Sequence, residues 1–155
     1  MPAINPTDLP VPQLDFVFQI KVYFEERHWF DGPNGRRSYV PVVRGTVEGP
    51  RLNGKVVPRS GADFALSGAL NAHYMLEADD GTLIYLNNRG YLFRTDGSKD
   101  FASKAPPGVE YYFRLVPVFD TKIGPHDWLT RTVIIGIGER FAEPDHTRFT
   151  YYALK

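Results

Sequence analysis

The chain of 155 residues contains no cysteine, so disulfides, thiolate nucleophiles and thiolate zinc sites are excluded. It also has no excess of either charge, because 18 basic residues balance 18 acidic ones. Without a basic block there is nothing to displace counterions from a nucleic-acid backbone, and an anionic membrane surface is an equally poor match. Neither nucleic acid nor membrane is expected as a partner. No apolar run approaches the roughly 20 residues of a membrane helix. The opening MPAINPTDLPVP lacks the basic-then-apolar order of a secretory signal. With the missing cysteines, this makes the cytoplasm the expected location. A Gly-rich phosphate loop, a Gly-x-Ser-x-Gly elbow and a dinucleotide fingerprint are all missing. No pair among the four histidines has metal-ligand spacing. Neither a cofactor nor a metal is expected.

What is present is aromatic and β-branched. Aromatics make up 14% of the chain, and most of them fall in segments with strand character. Residues 1–13 hold four prolines and read as an extended lead-in, followed by a single domain over 14–155. Residues 14–25 alternate clearly, with Phe16, Phe18, Ile20, Val22 and Phe24 on one side. Residues 26–36 read as a loop around Asp31-Gly32-Pro33-Asn34-Gly35. Strands are expected at 37–48, where Pro41 suggests an edge or bulge, and at 55–57, 62–66, 71–78, 82–87, 91–94 and 148–154. Asn88-Arg89-Gly90 reads as a turn between two of them. The one plausible helix is 96–104, capped by Ser98.

The most informative stretch is 110–140, EYYFRLVPVFDTKIGPHDWLTRTVIIGIGER. It reads as two long strands, 110–121 and 128–140, folded back across Gly124-Pro125. With period-2 alternation, Arg114 and Asp120 share a face with Trp128, Thr130, Ile134, Gly136 and Gly138. That face is either an outer surface or a pocket wall, and a bulge at Pro117 would separate Arg114 from Asp120. The many short strands and near absence of helix point to an all-β fold, a single antiparallel β-barrel of about eight to ten strands with one short helix. A barrel is favoured over a sandwich because the long aromatic first and last strands would leave sticky edges unless they paired.

The chain resembles the domain of unknown function 3237 family of small β-barrel proteins. The resemblance rests on Gly35-Arg36-Arg37, the run from Gly45-Thr46-Val47-Glu48 to Asn53-Gly54, Gly61-Ala62-Asp63, and Asp79-Asp80-Gly81 with Ile84-Tyr85. It continues through Tyr112-Phe113-Arg114 and Trp128-Leu129-Thr130-Arg131 with Gly136 and Gly138. The family pattern carries Trp where this chain has Phe64, and Asp-Ala-Arg-Tyr where it has Asn71-Ala72-His73-Tyr74. It also has Asn at Thr130 and Glu at Asp120. The resemblance implies the barrel fold and leaves the activity open.

The residues themselves supply candidates for chemistry. Arg114 would bind or polarise an anionic or carbonyl group, and Asp120 or Asp63 would serve as acid or base. Arg114 and Asp120 lie about 20 Å apart along one strand, so each needs another partner or a ligand. The plain alternative is an outward arginine, a strand-end aspartate and a turn-capping Asp63. Tyr74, Tyr85, Tyr112, Trp128, Thr130, His73 and Glu48 are the candidates for binding a substrate, although buried tyrosines commonly find partners for structural reasons alone. Trp128 also reads as a lid on the barrel, and His73 alternates away from the Tyr74 side. Two functions remain open. One is a cofactor-independent isomerase, lyase, hydratase or cyclase acting on a small, largely apolar or aromatic metabolite. The other is a non-catalytic carrier of such a ligand. A solid lumen with an oligomer surface is a third option.

Overall fold

The computed structural model describes residues 3–98 and 105–155. Its strands are β1 (Leu14–Phe24), β2 (His28–Gly32), β3 (Gly35–Glu48), β4 (Gly54–Val56), β5 (Ala62–Asp63) and β6 (Ala69–Ala78). They continue as β7 (Leu83–Arg94), β8 (Tyr111–Leu115), β9 (Val118–Thr121), β10 (Ile134–Phe141) and β11 (His146–Leu154). They form a closed antiparallel barrel of eight staves. The β4 and β5 pieces share one stave between β3 and β6, and β8 and β9 share another beside β7. Only β2 stands outside, paired to β3. Helix among the described residues is limited to 3-10 turns at Pro6–Asp8 and Asp127–Thr130. In the expected helix, residues 96–98 are not helical; 99–104 lie outside the described residues.

The seam that closes the barrel is the expected pairing of first and last strands, with Leu14 opposite Leu154 and Tyr23 opposite His146. Its register shifts between Phe16 and Phe18. That bulge turns Phe16 out to solvent while Val17 and Phe18 are both buried, so the alternation read from the sequence holds only from Phe18 onward. A second shift, between Tyr23 and Phe24, lies beside Pro41, where the proline interrupts regular pairing.

Three expectations are corrected. The loop at 26–36 is a hairpin, because His28–Gly32 pairs back on β3 around Pro33-Asn34. Asn88-Arg89-Gly90 is not a turn but the middle of β7. Gly90 is needed there for close approach, since a Cβ would strike the Arg114 carbonyl on β8, and Asn88 points into the barrel. The long hairpin of 110–140 does not form. Pro117 separates β8 from β9, β9 turns to β7, and the chain leaves the sheet over 122–133. Trp128, Leu129 and Thr130 thus lie in a 3-10 turn, and β10 pairs with β8, Gly136 opposite Leu115 and Ile137 opposite Arg114.

This register sorts the faces differently from the expected one. Phe113, Leu115 and Phe119 point inward with Ile134, Gly136 and Gly138. The glycines make room for rings: a Cβ on Gly136 would lie 2.9 Å from the Tyr151 ring, and one on Gly138 would lie 2.5 Å from that of Phe113. The interior is built from aromatic edges, with Phe18 5.2 Å from Tyr151 and Phe113 5.6 Å from Phe149 between centroids. One end is closed by Leu129 and Trp128, whose indole meets Phe18 inside and carries the Arg51 guanidinium at 3.6 Å. Trp128 is a lid, as its place in the sequence suggested.

Candidate active site

Among the described residues, the opposite end of the barrel is open. The ends of β1, β7 and β10 and the starts of β3, β6 and β8 surround a cleft of about 1430 Å³. Apolar side chains from these elements, including Phe24, Leu70, Leu92 and Phe141, form much of its wall. Arg27, Arg94 and Arg140 add charge, and Asp63 lies among them. A smaller chamber of about 40 Å³ continues inward, shared by Arg27, Asp63 and Arg140 and reaching Tyr74, Thr147, Phe113 and Phe149.

Asp63 sits on the two-residue strand β5, where Gly61 lets the chain pass against β6; a Cβ there would strike the His73 carbonyl. Its Oδ1 accepts the Asn71 N–H at 3.1 Å. Loss of water pushes its carboxyl up to about 6, against the opposing pull of the Asn71 N–H and the Arg27 charge. A carboxyl in that range holds and releases a proton near neutrality.

The arginines are held by strand ends. Arg94 is buried at the end of β7, and its Nη2 donates to Asp96 Oδ2 at 2.6 Å, which lowers the Asp96 pKa. Arg140, at the far end of β10, donates from Nη1 to Thr147 Oγ1 at 2.8 Å and from Nη2 to Asp145. Its Nε is buried without a hydrogen-bond partner. Deeper in, the hydroxyls of Tyr74 and Tyr151 and both amide atoms of Asn88 are also buried without one. Burial pushes both phenol pKa values well up; the Asp63 charge adds to the shift at Tyr74, and Tyr74 to that at Tyr151. The Asn88 amide opposes both shifts from nearby, yet makes no hydrogen bond of good geometry to either hydroxyl.

Of the residues singled out in the sequence, Asp63 and Tyr74 come together at this site. The others do not. Arg114 lies on the outer face of β8, donating to the Phe113 carbonyl at 3.0 Å with its guanidinium 5.1 Å from the Tyr112 ring. Asp120 is exposed on β9, opposite Tyr85 of β7. Tyr112 is exposed and stacks on Phe93, centroids 4.9 Å apart. Glu48 is exposed at the end of β3, and the Thr130 hydroxyl caps the Asp127 carbonyl. His73 faces outward, as its alternation indicated, with Nδ1 2.5 Å from the Tyr85 hydroxyl and Nε2 3.0 Å from Asn71 Oδ1.

Arg27, Arg94, Arg140 and Asn88 were missed. Strand phase carries the signal for three of them. Asn88 and Arg94 follow Ile84 and Leu86 at even spacing once β7 is continuous, and Arg140 follows Ile134, Gly136 and Gly138.

A closed antiparallel barrel of eight staves with almost no helix among the described residues places the chain with the small β-barrel proteins. The chain belongs to the family described as protein of unknown function (DUF3237), whose model matches residues 12–154. It is 30% identical to a UPF0311 protein of Clostridium acetobutylicum over 77% of this chain and 78% of that one. A UPF0311 protein of Rhodopseudomonas palustris is 34% identical over 70% of this chain and 75% of its own length. Among solved structures, a β-barrel-like protein of Acinetobacter baumannii superposes with a TM-score of 0.82 at 28% identity, covering 96% of this chain and 99% of that one. A Penicillium herquei protein described as an enzyme shares the fold with a TM-score of 0.71 at 17% identity, over 96% of this chain and 98% of that one.

Proposed function

We propose that the protein is a cofactor-independent acid–base enzyme, an isomerase, lyase, hydratase or cyclase, acting on a small, largely apolar or aromatic metabolite in the open end of the barrel. The observation that carries this reading is Asp63, a carboxyl shifted up to about 6 at the floor of the cleft. A general acid–base group works best when its pKa lies near the working pH, and desolvation is how a carboxyl reaches that range. The apolar wall suits a ring or hydrocarbon, and the arginines suit an oxygen that gains charge during reaction. Proton transfer alone contributes roughly 10²–10⁴-fold, so the remainder falls to positioning in the cleft. Asp63 thus keeps the catalytic role expected of it and Tyr74 the binding role. Arg27, Arg94 and Arg140 take the oxygen-binding place that the sequence suggested for Arg114, and Asp120, on the outer wall, has no part in this reading. An apolar carrier would have no use for charged groups at the floor.

The test compares wild type with Asp63→Asn on small-molecule extracts of the source cells, read by mass spectrometry of the extract and of the intact protein. A compound consumed by wild type, and bound but not consumed by the variant, is the expected result. Consumption unaffected by the substitution removes Asp63 as the acid–base group. Binding by both proteins with no consumption by either identifies a carrier.

A further inference from the structure

We propose that the inner chamber is an oxygen subsite. It takes the carbonyl, enolate or phenolate oxygen of a ketone or phenol, with Tyr74 and Arg140 as its donors. The inference rests on the acid–base reading of Asp63 and names the substrate class that such a site would serve.

Three observations converge. The chamber measures about 40 Å³, where one water-sized group needs about 10–15 Å³, so it admits a small oxygen-bearing group of a ligand whose bulk stays in the far larger cleft. Two of the side chains that line it carry buried donors without a hydrogen bond of good geometry, Arg140 Nε and the Tyr74 hydroxyl, which has the Asn88 amide nearby but poorly aligned. Buried donors in folded proteins are nearly always satisfied, so this pairing marks a place prepared for an acceptor. Arg140 is also fixed in orientation, because Asp145 and Thr147 hold its two Nη atoms. Tyr74 cannot serve as that acceptor's base, since burial keeps its phenol protonated. It is a donor at any working pH.

The chemistry follows from what the candidate reactions share. Double-bond isomerisation, elimination beside a carbonyl and closure onto a conjugated ketone all place negative charge on one oxygen. In the proton-abstraction case Asp63 takes the proton from the carbon next to the carbonyl. The C–H electron pair becomes the new C=C bond, and the carbonyl π pair moves onto oxygen. The Tyr74 O–H and the Arg140 N–H then meet that charge as donors already fixed by burial and by the Thr147 and Asp145 contacts. Return of the proton from Asp63 to another carbon, or loss of a group from the β position, completes the step. Thr147 is a positioning residue that acts through Arg140.

Phenols test the subsite because a phenolate imitates an enolate in charge and shape. The probes are 2-naphthol and naphthalene, titrated into the full chain. Wild type should bind 2-naphthol at least tenfold more tightly than naphthalene, and bound naphthol should ionise at least one pH unit below its free value. Tyr74→Phe should erase most of the tenfold preference, with its circular dichroism spectrum confirming the fold. If that variant does not fold, the ionisation of naphthol bound to wild type decides alone. Equal affinity for the two probes, no binding of either, an unshifted ionisation, or a preference kept in folded Tyr74→Phe overturns the proposal. The two readings fail separately. A naphthol preference beside turnover indifferent to Asp63→Asn leaves the subsite and removes the base; Asp63-dependent turnover without the preference does the reverse.

Discussion

Arg140 and Thr147 stand directly opposite each other across the β10–β11 ladder, and Arg140 Nη1 donates to Thr147 Oγ1 over 2.8 Å. Thr147 is 2% exposed, so this hydroxyl is the guanidinium's anchor inside the barrel, while Asp145 holds it at the rim. Thr147→Val keeps the shape and removes the acceptor, leaving a charged donor partly buried without its partner. The variant should lose about 1–3 kcal/mol of stability. Urea unfolding checks this, and an unchanged midpoint with unchanged slope would show that Arg140 finds another acceptor.

Asp63 should make stability depend on pH in a predictable direction. Its pKa is about 6 folded against 3.8 ordinarily, so between those values the folded chain keeps a proton that the unfolded chain has released. Stability therefore falls as pH rises through roughly 4 to 6, and above that window the ionised carboxylate costs about 3 kcal/mol. Asp63→Asn should be more stable than wild type at pH 7.5 by up to about that amount, and no more stable below pH 4. Thermal melts of both proteins across pH 3.5–8 measure it; a constant difference would mean that Asp63 titrates normally.

Gly138→Ala tests the room made for the Phe113 ring. Three ring atoms would lie within 2.5–2.7 Å of the new Cβ, and the ring is buried against Phe149, so it must shift toward the inner chamber to make room. Overpacking of this kind costs about 1–3 kcal/mol. Gly97→Ala is a poor control because its φ of +76° strains any side chain.

Asp80 accepts the Thr82 N–H at 2.9 Å and lies 2.9 Å from His126 Nε2, tying the β6–β7 turn to the segment that caps the closed end. These contacts, the Thr82 N–H foremost, hold its carboxyl down at about 2. The stability it contributes is complete above its ordinary pKa and is lost as pH falls through about 2. Asp80→Asn should melt at lower temperature than wild type at pH 7, and the two should converge in acid.

Arg114→Ala and Asp120→Asn should leave ligand binding unchanged and shift stability by no more than about 0.5 kcal/mol each, because both side chains lie on the outer wall. Loss of binding in either variant would place the ligand on the outside of the barrel.

Much of the barrel was legible from alternation. The segment 14–25 announced a half-buried strand, and its pairing with 148–154 followed from two sticky edges that a barrel removes. The failures share one cause: turn chemistry was read where tertiary packing decides. Asn88-Arg89-Gly90 has the composition of a turn, but Gly90 serves a backbone approach and Asn88 an inward polar position. Gly124-Pro125 does bend the chain, yet Pro117 and the apolar pull of Trp128 and Leu129 into the barrel end keep the flanking strands apart. Once that register moved, Arg114 and Asp120 went outside with it. Asp63 remained visible because its motif places it on a short strand regardless of the hairpin. Arg27 had no such signal; it follows β1, where alternation has ended.

The β1–β11 seam joins opposite ends of the chain, and Gln19 Nε2 reaches Thr150 Oγ1 across 131 residues at 2.9 Å. No local stretch can complete the barrel by itself, so the chain must be nearly whole before its first strand finds its last. Folds dominated by such distant pairings acquire their native state over roughly milliseconds to seconds. During synthesis, the edge of β1 that faces β11 would stay unpaired until β11 had left the ribosome, although β3 can pair with its other edge early. The same closure that removes two edges from the finished protein makes its nascent form dependent on protection of that strand.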